Sequence, residues 1–208
     1  LVILAERLVS MRGLRKASAE LQQTIAHDVR EIYAPLANRL GIWQLKWELE
    51  DLSFRFLEPD FYHEVARALQ ETRNERQDYI SRVIDTLREH CDRMGISADI
   101  AGRPKHIFSI ARKMKQKHLT FDQVYDVRAV RVLVDKLADC YAVLGMIHGN
   151  WRHIPGEFDD YIATPKPNMY QSLHTAVIGP EDKPLEVQIR THDMHEHAEL
   201  GVAAHWRY

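Results

Sequence analysis

Residues 170–191 read YQSLHTAVIGPEDKPLEVQIRT, and the second half of this stretch decides the fold class. From Leu185 to Arg190, apolar residues alternate with polar ones, which is the period of a strand buried on one side only. The polar positions hold an acid, an amide and a base, at Glu186, Gln188 and Arg190. A single polar residue would indicate ordinary solvent exposure, whereas three in a row predict the floor of a ligand-binding site.

Outward from this strand, short β-rich runs and helical patterns alternate over the second half of the chain. Strands mixed with helices are typical of an α/β or α+β domain. The predicted strands cover 97–101, 127–134, 171–178 and 184–190, and the predicted helices cover 104–118 and 137–149.

The first part of the chain is predicted to be a helical scaffold. A helix at about 20–38 is followed, after Gly41, by a second helix that ends at Pro59. The second helix carries an apolar stripe at helical spacing, formed by Leu45, Leu49, Leu52 and Phe56.

One longer helix is predicted from Phe61 to Met94, with a very polar middle. We expect a domain boundary at 58–60. Residues 1–58 then form a helical domain, and residues 59–208 form the domain that carries the site.

The composition excludes several classes of protein. The chain has 208 residues and a formal net charge of −2, which is not the charge of a non-specific nucleic-acid coat. Cys91 and Cys140 form no C-x-x-C pair, so we expect no disulfide framework and a reducing cytoplasm. No apolar run approaches the roughly 20 residues that span a bilayer, so no membrane partner is expected. Because the chain opens in mid-pattern without an initiator Met, we expect a fragment of a longer protein.

Residues 102–117 read GRPKHIFSIARKMKQK and form a basic helical pattern. Between Arg103 and Lys117 there are six Lys or Arg residues and no acid. Gly102 and Pro104 predict the helix start here, because proline is tolerated in the first turn. A cationic face beside free N-terminal N–H groups suits phosphate. A solvated helix or a patch for the RNA backbone explains the same charge.

An aspartate opens the strand pattern at 125–134. Asp126 and Glu186 could hold Mg²⁺, an ion that prefers one or two carboxylates plus phosphate oxygens. The alternative for Asp126 is a cap or an ion pair with Arg128.

The segment PKPNMYQSLHT at 165–175 begins as a loop and becomes a strand. Tyr170 could stack on a base, although tyrosine on a strand more often simply packs. Lys166 and His174 could contact phosphates, and Asn168 could contact a base edge.

Taken together and in this order, four motifs resemble the synthetase domain of the RelA/SpoT family of alarmone enzymes. The motifs are GRPKHIFSIARKM, YDVRAVRVLV, KPNMYQSLHT and LEVQIRT, followed by MHEHAELGVAAHW. The resemblance covers residues 102–208. It implies a nucleotidyltransferase-like mixed sheet of about five strands flanked by helices, behind a helical segment. The implied reaction moves pyrophosphate from ATP to the ribose 3′-hydroxyl of GDP or GTP, giving ppGpp or pppGpp and AMP.

The resemblance also implies a role for each residue of the site. Glu186 would share Mg²⁺ with Asp126 or act as the base on the 3′-hydroxyl. On the ATP side stand Arg103, Lys105, Ser109 and Lys113 at the phosphates and Arg131 against the adenine. On the acceptor side stand Tyr170 stacked on guanine, Asn168, Gln188 and His195 nearby, and Lys166 and His174 at the phosphates.

The chain departs from the family pattern at two places. Met169 stands where the family usually has glycine, just before the stacking tyrosine, and glycine tolerates φ > 0 where methionine does not. Residues 1–58 resemble the end of the family's hydrolase domain, but Glu6, Val9 and Ser10 replace its Asp, His and Asn. Hydrolase activity is therefore expected to be absent.

The acidic motif EFDD at 157–160 resembles the synthesis-only branch of the family, in which GDP tends to be preferred over GTP. From the residues alone, such charge usually indicates a solvated turn. Two other functions stay open, a catalytically silent module that senses guanine nucleotide and an RNA-binding domain that uses the basic helix. The expected partners are ATP and GDP or GTP, with no DNA. Contact with the ribosome or tRNA is expected only through regions outside these residues.

Overall fold

The computed structural model describes residues 1–103, 105–124 and 127–200, apart from the side chains of Glu71 and Asp122. The helices are α1 Val2–Gly13, α2 Ala19–Asp28, α3 Ala34–Arg39, α4 Trp43–Leu57, α5 Pro59–Glu71, α6 Arg73–Arg93, α7 Ile107–Lys117, α8 Leu137–Asn150 and α9 His192–Leu200. The strands are β1 Ala98–Gly102, β2 Ala129–Val134, β3 Arg152–Asp160, β4 Leu173–Ile178 and β5 Pro184–Thr191. Among the described residues, none of the helices combines the length and apolar character that crossing a membrane requires.

The described residues fall into two compact units. The first consists of Leu1–Gln70, His106–Phe121 and the segment that begins at His197, and the second consists of Glu71–Lys105 and Asp122–Glu196. This division by compactness differs from the boundary at 58–60, which rests on a resemblance between sequences and stays a prediction.

The first unit is built from helices around its own apolar core. The predicted helix at 20–38 is confirmed as α2 and α3, joined by a π turn at Val29–Tyr33. Gly41 has φ 71°, a left-handed conformation that lets the chain turn sharply between α3 and α4. The apolar stripe of α4 faces the core as predicted, with Leu49 fully buried. The core residues are Leu4, Leu8, Met11, Leu14, Ala26, Val29, Ala34, Ala37, Ile42 and Leu49.

The prediction of one helix from Phe61 to Met94 is wrong, because the chain leaves helical geometry at Thr72. The segment forms α5 and α6, and Thr72 between them has φ −92° and ψ 5°. Thr72 is β-branched and therefore a weak helix former. Its hydroxyl oxygen instead accepts a hydrogen bond from Arg76 Nη1 at 3.1 Å, in the first turn of α6.

The second unit contains a mixed sheet of five strands in the order β1-β2-β5-β4-β3, which confirms the predicted fold class. β2 and β5 are parallel, and the other neighbouring pairs are antiparallel. Helices α6 and α8 supply buried residues to the core of this unit, together with the apolar residues of the strands. The polar side chains at alternate positions of the central strands lie on the opposite sheet face.

The sequence does not predict the strand β3, because the acidic motif at its end is typical of a solvated turn. Pro155 and Gly156 interrupt the alternation in the middle of this strand. The register with β4 shifts between His153 and Phe158, and Gly156 has φ 80° within this bulge. A bulged edge strand rich in acids lacks the regular pattern by which β5 was recognised.

Candidate nucleotide site

Four strands place polar residues in one row across the sheet. Gln188 of β5 lies directly between Arg131 of β2 and His174 of β4 in the strand register. Asp159 of β3 is in turn the direct partner of His174. Direct partners project from the same sheet face. The row therefore brings a base, an amide, an imidazole and an acid together, three of them from the predicted site.

The carboxylate of Glu186 lies among donors and cations. Gln188 Nε2 donates a hydrogen bond of 2.8 Å to Glu186 Oε1. Arg103 Nη1 lies 3.6 Å from the same oxygen, and Lys105 Nζ lies 3.7 Å from Oε2. The Glu186 side chain is only 15% exposed, so these charges act with little screening by solvent. Arg103 is anchored beside it, because its backbone N–H donates to Ala129 O at 2.8 Å.

Of the two predicted Mg²⁺ ligands, Asp126 lies outside the described residues. Within the described part of the chain, no group of three His, Cys, Asp or Glu residues could hold a metal ion without another ligand. Glu186 nevertheless fits this ion, because Mg²⁺ is usually held by one or two carboxylates plus the phosphate oxygens of a substrate. The cationic neighbours of Glu186 suit those phosphates.

Two tyrosines and a histidine form an aromatic cluster near the first residues of β4. Tyr170 and His174 meet edge to face, with the Tyr170 hydroxyl 2.9 Å from His174 Nε2. Tyr161 lies edge-on to His174 with ring centroids 5.3 Å apart. Lys166 Nζ lies 4.1 Å from the Tyr161 ring centroid and 5.5 Å from that of Tyr170, both within cation–π range. Three predicted acceptor-site residues are thus in one cluster.

His174 is held in its neutral form. Burial is the main cause and lowers the pKa of His174 to about 4. The carboxylates of Glu186 and Asp159 raise this pKa, and the cations of Arg103 and Lys166 lower it. His174 can therefore contact a phosphate near neutral pH as a hydrogen-bond partner rather than as a cation.

The loop before Tyr170 keeps the conformation that a glycine would allow. Met169 has φ 62° and is 72% exposed, so its side chain points into solvent while its backbone is left-handed. The Met169 N–H donates to Lys166 O at 2.8 Å, and Lys166 N–H donates to Tyr170 O at 3.2 Å. Asn168 Oδ1 accepts a hydrogen bond from Tyr170 N–H at 3.3 Å. Asn168, which is predicted to contact a base, therefore also stabilises the loop.

The third polar residue of β5 contacts the aromatic cluster. The Arg190 guanidinium carbon lies 5.8 Å from the Tyr170 ring centroid. Arg190 Nη2 lies 2.6 Å from Nδ1 of His195, which is on α9. Tyr170 and His195 are therefore linked by Arg190, which the strand pattern predicted as part of the site floor without naming its partners.

The first unit holds the other two predicted ATP contacts, Ser109 and Lys113, on the half-buried side of α7. The helix start predicted at 102–104 is wrong, whereas the phosphate contact of this helix stays a prediction. Helix α7 begins at Ile107, and Gly102 is the last residue of β1. The N–H of Phe108 in its first turn is already capped by Asp51 Oδ1 at 2.8 Å.

The three positions at which the chain departs from the hydrolase pattern lie on α1. Glu6, Val9 and Ser10 are all exposed, and Val9 keeps 67% of its surface in solvent. The Ser10 hydroxyl donates to the backbone oxygen of Glu6 at 2.9 Å.

Two residues of the site were missed by sequence reasoning. Tyr161 and Asp159 belong to the acidic segment that was interpreted as a turn, and a hydrogen bond joins their side chains. An aromatic residue directly after two acids was the available signal, but it becomes informative only once β3 is known to pair with β4.

Comparison with known proteins places this geometry in context. The pattern described as a region found in RelA / SpoT proteins matches residues 102–208, and an HD domain pattern matches residues 1–43. A GTP pyrophosphokinase of Photobacterium angustum is 54% identical over 99% of this chain, which spans 28% of that protein. A protein of Synechocystis named probable guanosine-3′,5′-bis(diphosphate) 3′-pyrophosphohydrolase is 49% identical over the whole chain, which spans 27% of it.

Among solved structures, the chain is similar in fold to small alarmone synthetase 1 from Bacillus subtilis bound to its product pppGpp. The TM-score is 0.50 at 21% identity, over 69% of this chain and 82% of that one. The described chain thus spans about a quarter of the relatives it matches by sequence, and it shares the fold of a smaller protein.

Proposed function

Because the chain belongs to the RelA/SpoT family, we propose that it transfers pyrophosphate from ATP to the 3′-hydroxyl of GDP or GTP, releasing AMP and forming ppGpp or pppGpp. The relatives named GTP pyrophosphokinase support this reaction. The Bacillus subtilis protein of similar fold, whose structure contains pppGpp, supports the nature of the product.

The observation that carries the proposal is the carboxylate of Glu186 between Arg103 and Lys105, at 3.6 and 3.7 Å. Pyrophosphoryl transfer needs cations at the phosphates and an acceptor for the hydroxyl proton. Both are present here near the start of β5. A polyphosphate that binds Arg103 and Lys105 competes with Glu186 for them, which leaves the carboxylate available to the 3′-hydroxyl.

We assign the remaining contacts to ATP from the same sheet face and from α7. Arg131 lies in the polar row beside Gln188 and is proposed to face the adenine. Ser109 and Lys113 are proposed to contact the phosphates from α7.

We propose Glu186 and Asp126 as the residues that would hold Mg²⁺. When bound, this ion would neutralise charge on the transferred phosphoryl group.

We propose that the aromatic cluster receives the acceptor nucleotide. Tyr170 would stack on guanine, a contact worth about 1–3 kcal/mol in nucleic-acid systems. Asn168, Gln188 and His195 are proposed to read the base, and Lys166 and His174 to contact the phosphates. Met169 preserves the left-handed loop backbone before Tyr170, which favours an active transferase over a silent sensor.

The direct test incubates the chain with labelled ATP, GDP and Mg²⁺ and separates the nucleotides by chromatography. We expect labelled ppGpp and an equal amount of AMP. The Glu186→Gln variant should lose at least about 10²-fold in turnover, because a positioned base contributes about 10²- to 10⁴-fold. If wild type and variant form product equally fast, Glu186 is not the base. If wild type binds GDP but forms no product, the chain is the silent sensor.

We propose further that the chain does not hydrolyse ppGpp, because Glu6, Val9 and Ser10 stand where the hydrolase pattern has Asp, His and Asn. One similar protein carries a pyrophosphohydrolase name, so this point needs its own assay. Incubation with labelled ppGpp and divalent metal ions should release no pyrophosphate, and steady release would refute this part of the proposal.

We also propose that GDP is preferred over GTP as acceptor. The acids at 157–160 lie at the end of β3. Asp159 is the direct strand partner of His174, which belongs to the aromatic cluster. An extra phosphate on the acceptor adds negative charge near these acids, which is unfavourable. At equal concentrations of GDP and GTP, the amount of ppGpp should exceed that of pppGpp. The Asp159→Asn variant should bring the ratio of the two products closer to one. Equal products in wild type would contradict this preference.

We propose that the reaction takes place in the cytoplasm, where the free thiols of Cys91 and Cys140 would remain reduced. Any ribosome or tRNA contact is assigned to parts of the full-length protein outside these residues.

A further inference from the structure

Arg190 is buried beside the aromatic cluster, with only 2% of its surface exposed. A guanidinium stays charged in proteins, and burying it is costly unless its charge and its donors are used. An apolar side chain of similar size would fill the same volume at lower cost. The position therefore requires a reason beyond packing, and the contacts of Arg190 supply one.

The first contact fixes the protonation of His195. Arg190 Nη2 lies 2.6 Å from His195 Nδ1, and a guanidinium has only hydrogen-bond donors. His195 Nδ1 must therefore accept, which leaves the imidazole neutral with its proton on Nε2. Nε2 of His195 is then a donor, which suits an acceptor atom on a nucleotide.

The second contact holds the tyrosine ring. The guanidinium carbon lies 5.8 Å from the Tyr170 ring centroid, within cation–π range. At the other end of the same ring, the hydroxyl is 2.9 Å from His174 Nε2. Tyr170 is thus restrained both at its ring and at its hydroxyl before any base stacks on it.

We propose that Arg190 is a positioning residue for the acceptor nucleotide. It orders the ring of Tyr170 and sets the Nε2–H tautomer of His195, so that both are arranged before guanine nucleotide binds. Ordering these side chains in advance removes an entropic cost from binding. This inference rests on the proposed function, because it takes Tyr170 and His195 to be acceptor contacts.

The test compares Arg190→Met and Arg190→Lys with wild type by calorimetry of GDP and ATP binding. We expect Arg190→Met to weaken GDP binding by about 10- to 100-fold, by analogy with the loss in metal affinity when a group that orients metal ligands is removed. ATP binding should change by less than about twofold. The GDP affinity of Arg190→Lys should lie between those of wild type and Arg190→Met, because an ammonium keeps the charge but not the planar fork of donors. Arg82→Met is the control, since Arg82 is exposed and pairs with Glu181 in a turn.

Thermal stability separates positioning from folding. Because the partner His195 is neutral, Arg190→Met leaves no uncompensated buried charge, so it should melt close to wild type while it binds GDP weakly. A parallel loss of ATP binding, GDP binding and melting temperature would instead show that Arg190 is structural. Wild-type affinity for GDP in Arg190→Met would overturn the proposal outright.

The ¹⁵N spectrum of His195 tests the tautomer directly. Wild type should show an unprotonated Nδ1 and a protonated Nε2, and Arg190→Met should show a mixture of tautomers. A proton on Nδ1 in wild type would contradict the proposed hydrogen bond. If wild type binds no guanine nucleotide at all, the proposed function fails and this inference falls with it. That result differs from equal GDP binding by wild type and variant, which overturns only the role of Arg190.

Discussion

Met169 carries a backbone strain that its neighbours tolerate. Its φ of 62° is the left-handed conformation, which costs a residue with a side chain roughly 1–2 kcal/mol relative to the right-handed one. The N–H of Met169 and the side chain of Asn168 make hydrogen bonds that close the loop on itself. The departure from glycine therefore changes the energy of the loop more than its shape.

Met169→Gly should raise the free energy of unfolding by about 0.5–1 kcal/mol, since it relieves strain but adds about 0.5–1 kcal/mol of chain entropy to the unfolded state. GDP affinity should stay within about twofold, because the loop already has the required backbone. Urea unfolding and calorimetry measure the two quantities. His118→Gly is the matched control, since His118 is exposed and has φ 52° outside the site. A large gain in GDP affinity with Met169→Gly alone would mean that methionine holds the loop in an unproductive form.

His174 makes stability depend on pH. Its folded pKa of about 4 lies below the ordinary value of 6.5, so the unfolded chain binds more protons between these two values. The contribution of His174 is fully present above pH 6.5 and is lost as the pH falls towards 4, by at most about 3 kcal/mol. His174→Gln should flatten this part of the pH profile in urea unfolding, whereas the exposed His27→Gln control should not. A profile unchanged by His174→Gln would show that the imidazole is not held neutral.

The N-terminus of α7 is held by a residue of α4. Asp51 accepts the Phe108 N–H at 2.8 Å and lies 3.3 Å from His106 Nδ1, while Trp47 stacks on the His106 ring at 4.7 Å between centroids. These contacts come from residues that the sequence pattern of 102–117 does not include. A helix end capped by a carboxylate is stabilised by the N–H groups that it satisfies.

Asp51→Ala should lower the free energy of unfolding by about 1–2 kcal/mol, the usual cost of losing a cap. Asp51→Asn keeps an oxygen that can accept from Phe108 N–H and should lose less than half of that. Urea unfolding measures both. Equal losses in the two variants would show that the charge beside His106, and not the cap, is what stabilises α7.

Elements whose signal lies within their own sequence could be predicted. β5 alternates strictly, and the stripe of α4 repeats at helical spacing, so both were placed within one or two residues. β3 was missed because Pro155 and Gly156 break its period, and its pairing with β4 supplies what its own sequence lacks. The break at Thr72 carries neither glycine nor proline, the residues that most clearly interrupt helices.

The same distinction applies to the site. Glu186, Gln188 and Arg190 were evident from one strand, whereas the place of Tyr161 and the partners of Arg190 depend on contacts that the strand pattern does not show. The cap of α7 is of the same kind, because Asp51 and Phe108 are 57 positions apart. The sequence around α7 contains no pattern that identifies such a partner.

For the whole molecule, the boundaries that follow from similarity to related sequences differ from the boundaries of the two compact units. The RelA/SpoT pattern begins at 102 and the predicted domain begins at 59, yet α7 shares its compact unit with α4. A cut at 58–59 therefore removes Asp51 and Trp47 from the helix that carries Ser109 and Lys113.

The fragment 59–208 should be cleaved faster within 106–121 than the full chain under limited proteolysis, because α7 loses its cap and its stacking partner. Mass spectrometry of early fragments locates the cuts. Full-chain Asp51→Ala is the control and should show part of the same acceleration. Identical cleavage of fragment and full chain would mean that α7 is stable without α4.

The order of the strands in the sheet has a consequence for protein synthesis. Of the five described strands, β5 is the last to leave the ribosome, yet it lies between β2 and β4 and is paired with both. Until it emerges, those two strands lack a common neighbour and expose hydrogen-bonding edges, the kind of surface that chaperones shield. Glu186, Gln188 and Arg190 all arrive with it. A translation product that stops short of residue 184 therefore lacks the strand that joins β2 to β4 in the sheet, together with the three polar residues that this strand carries.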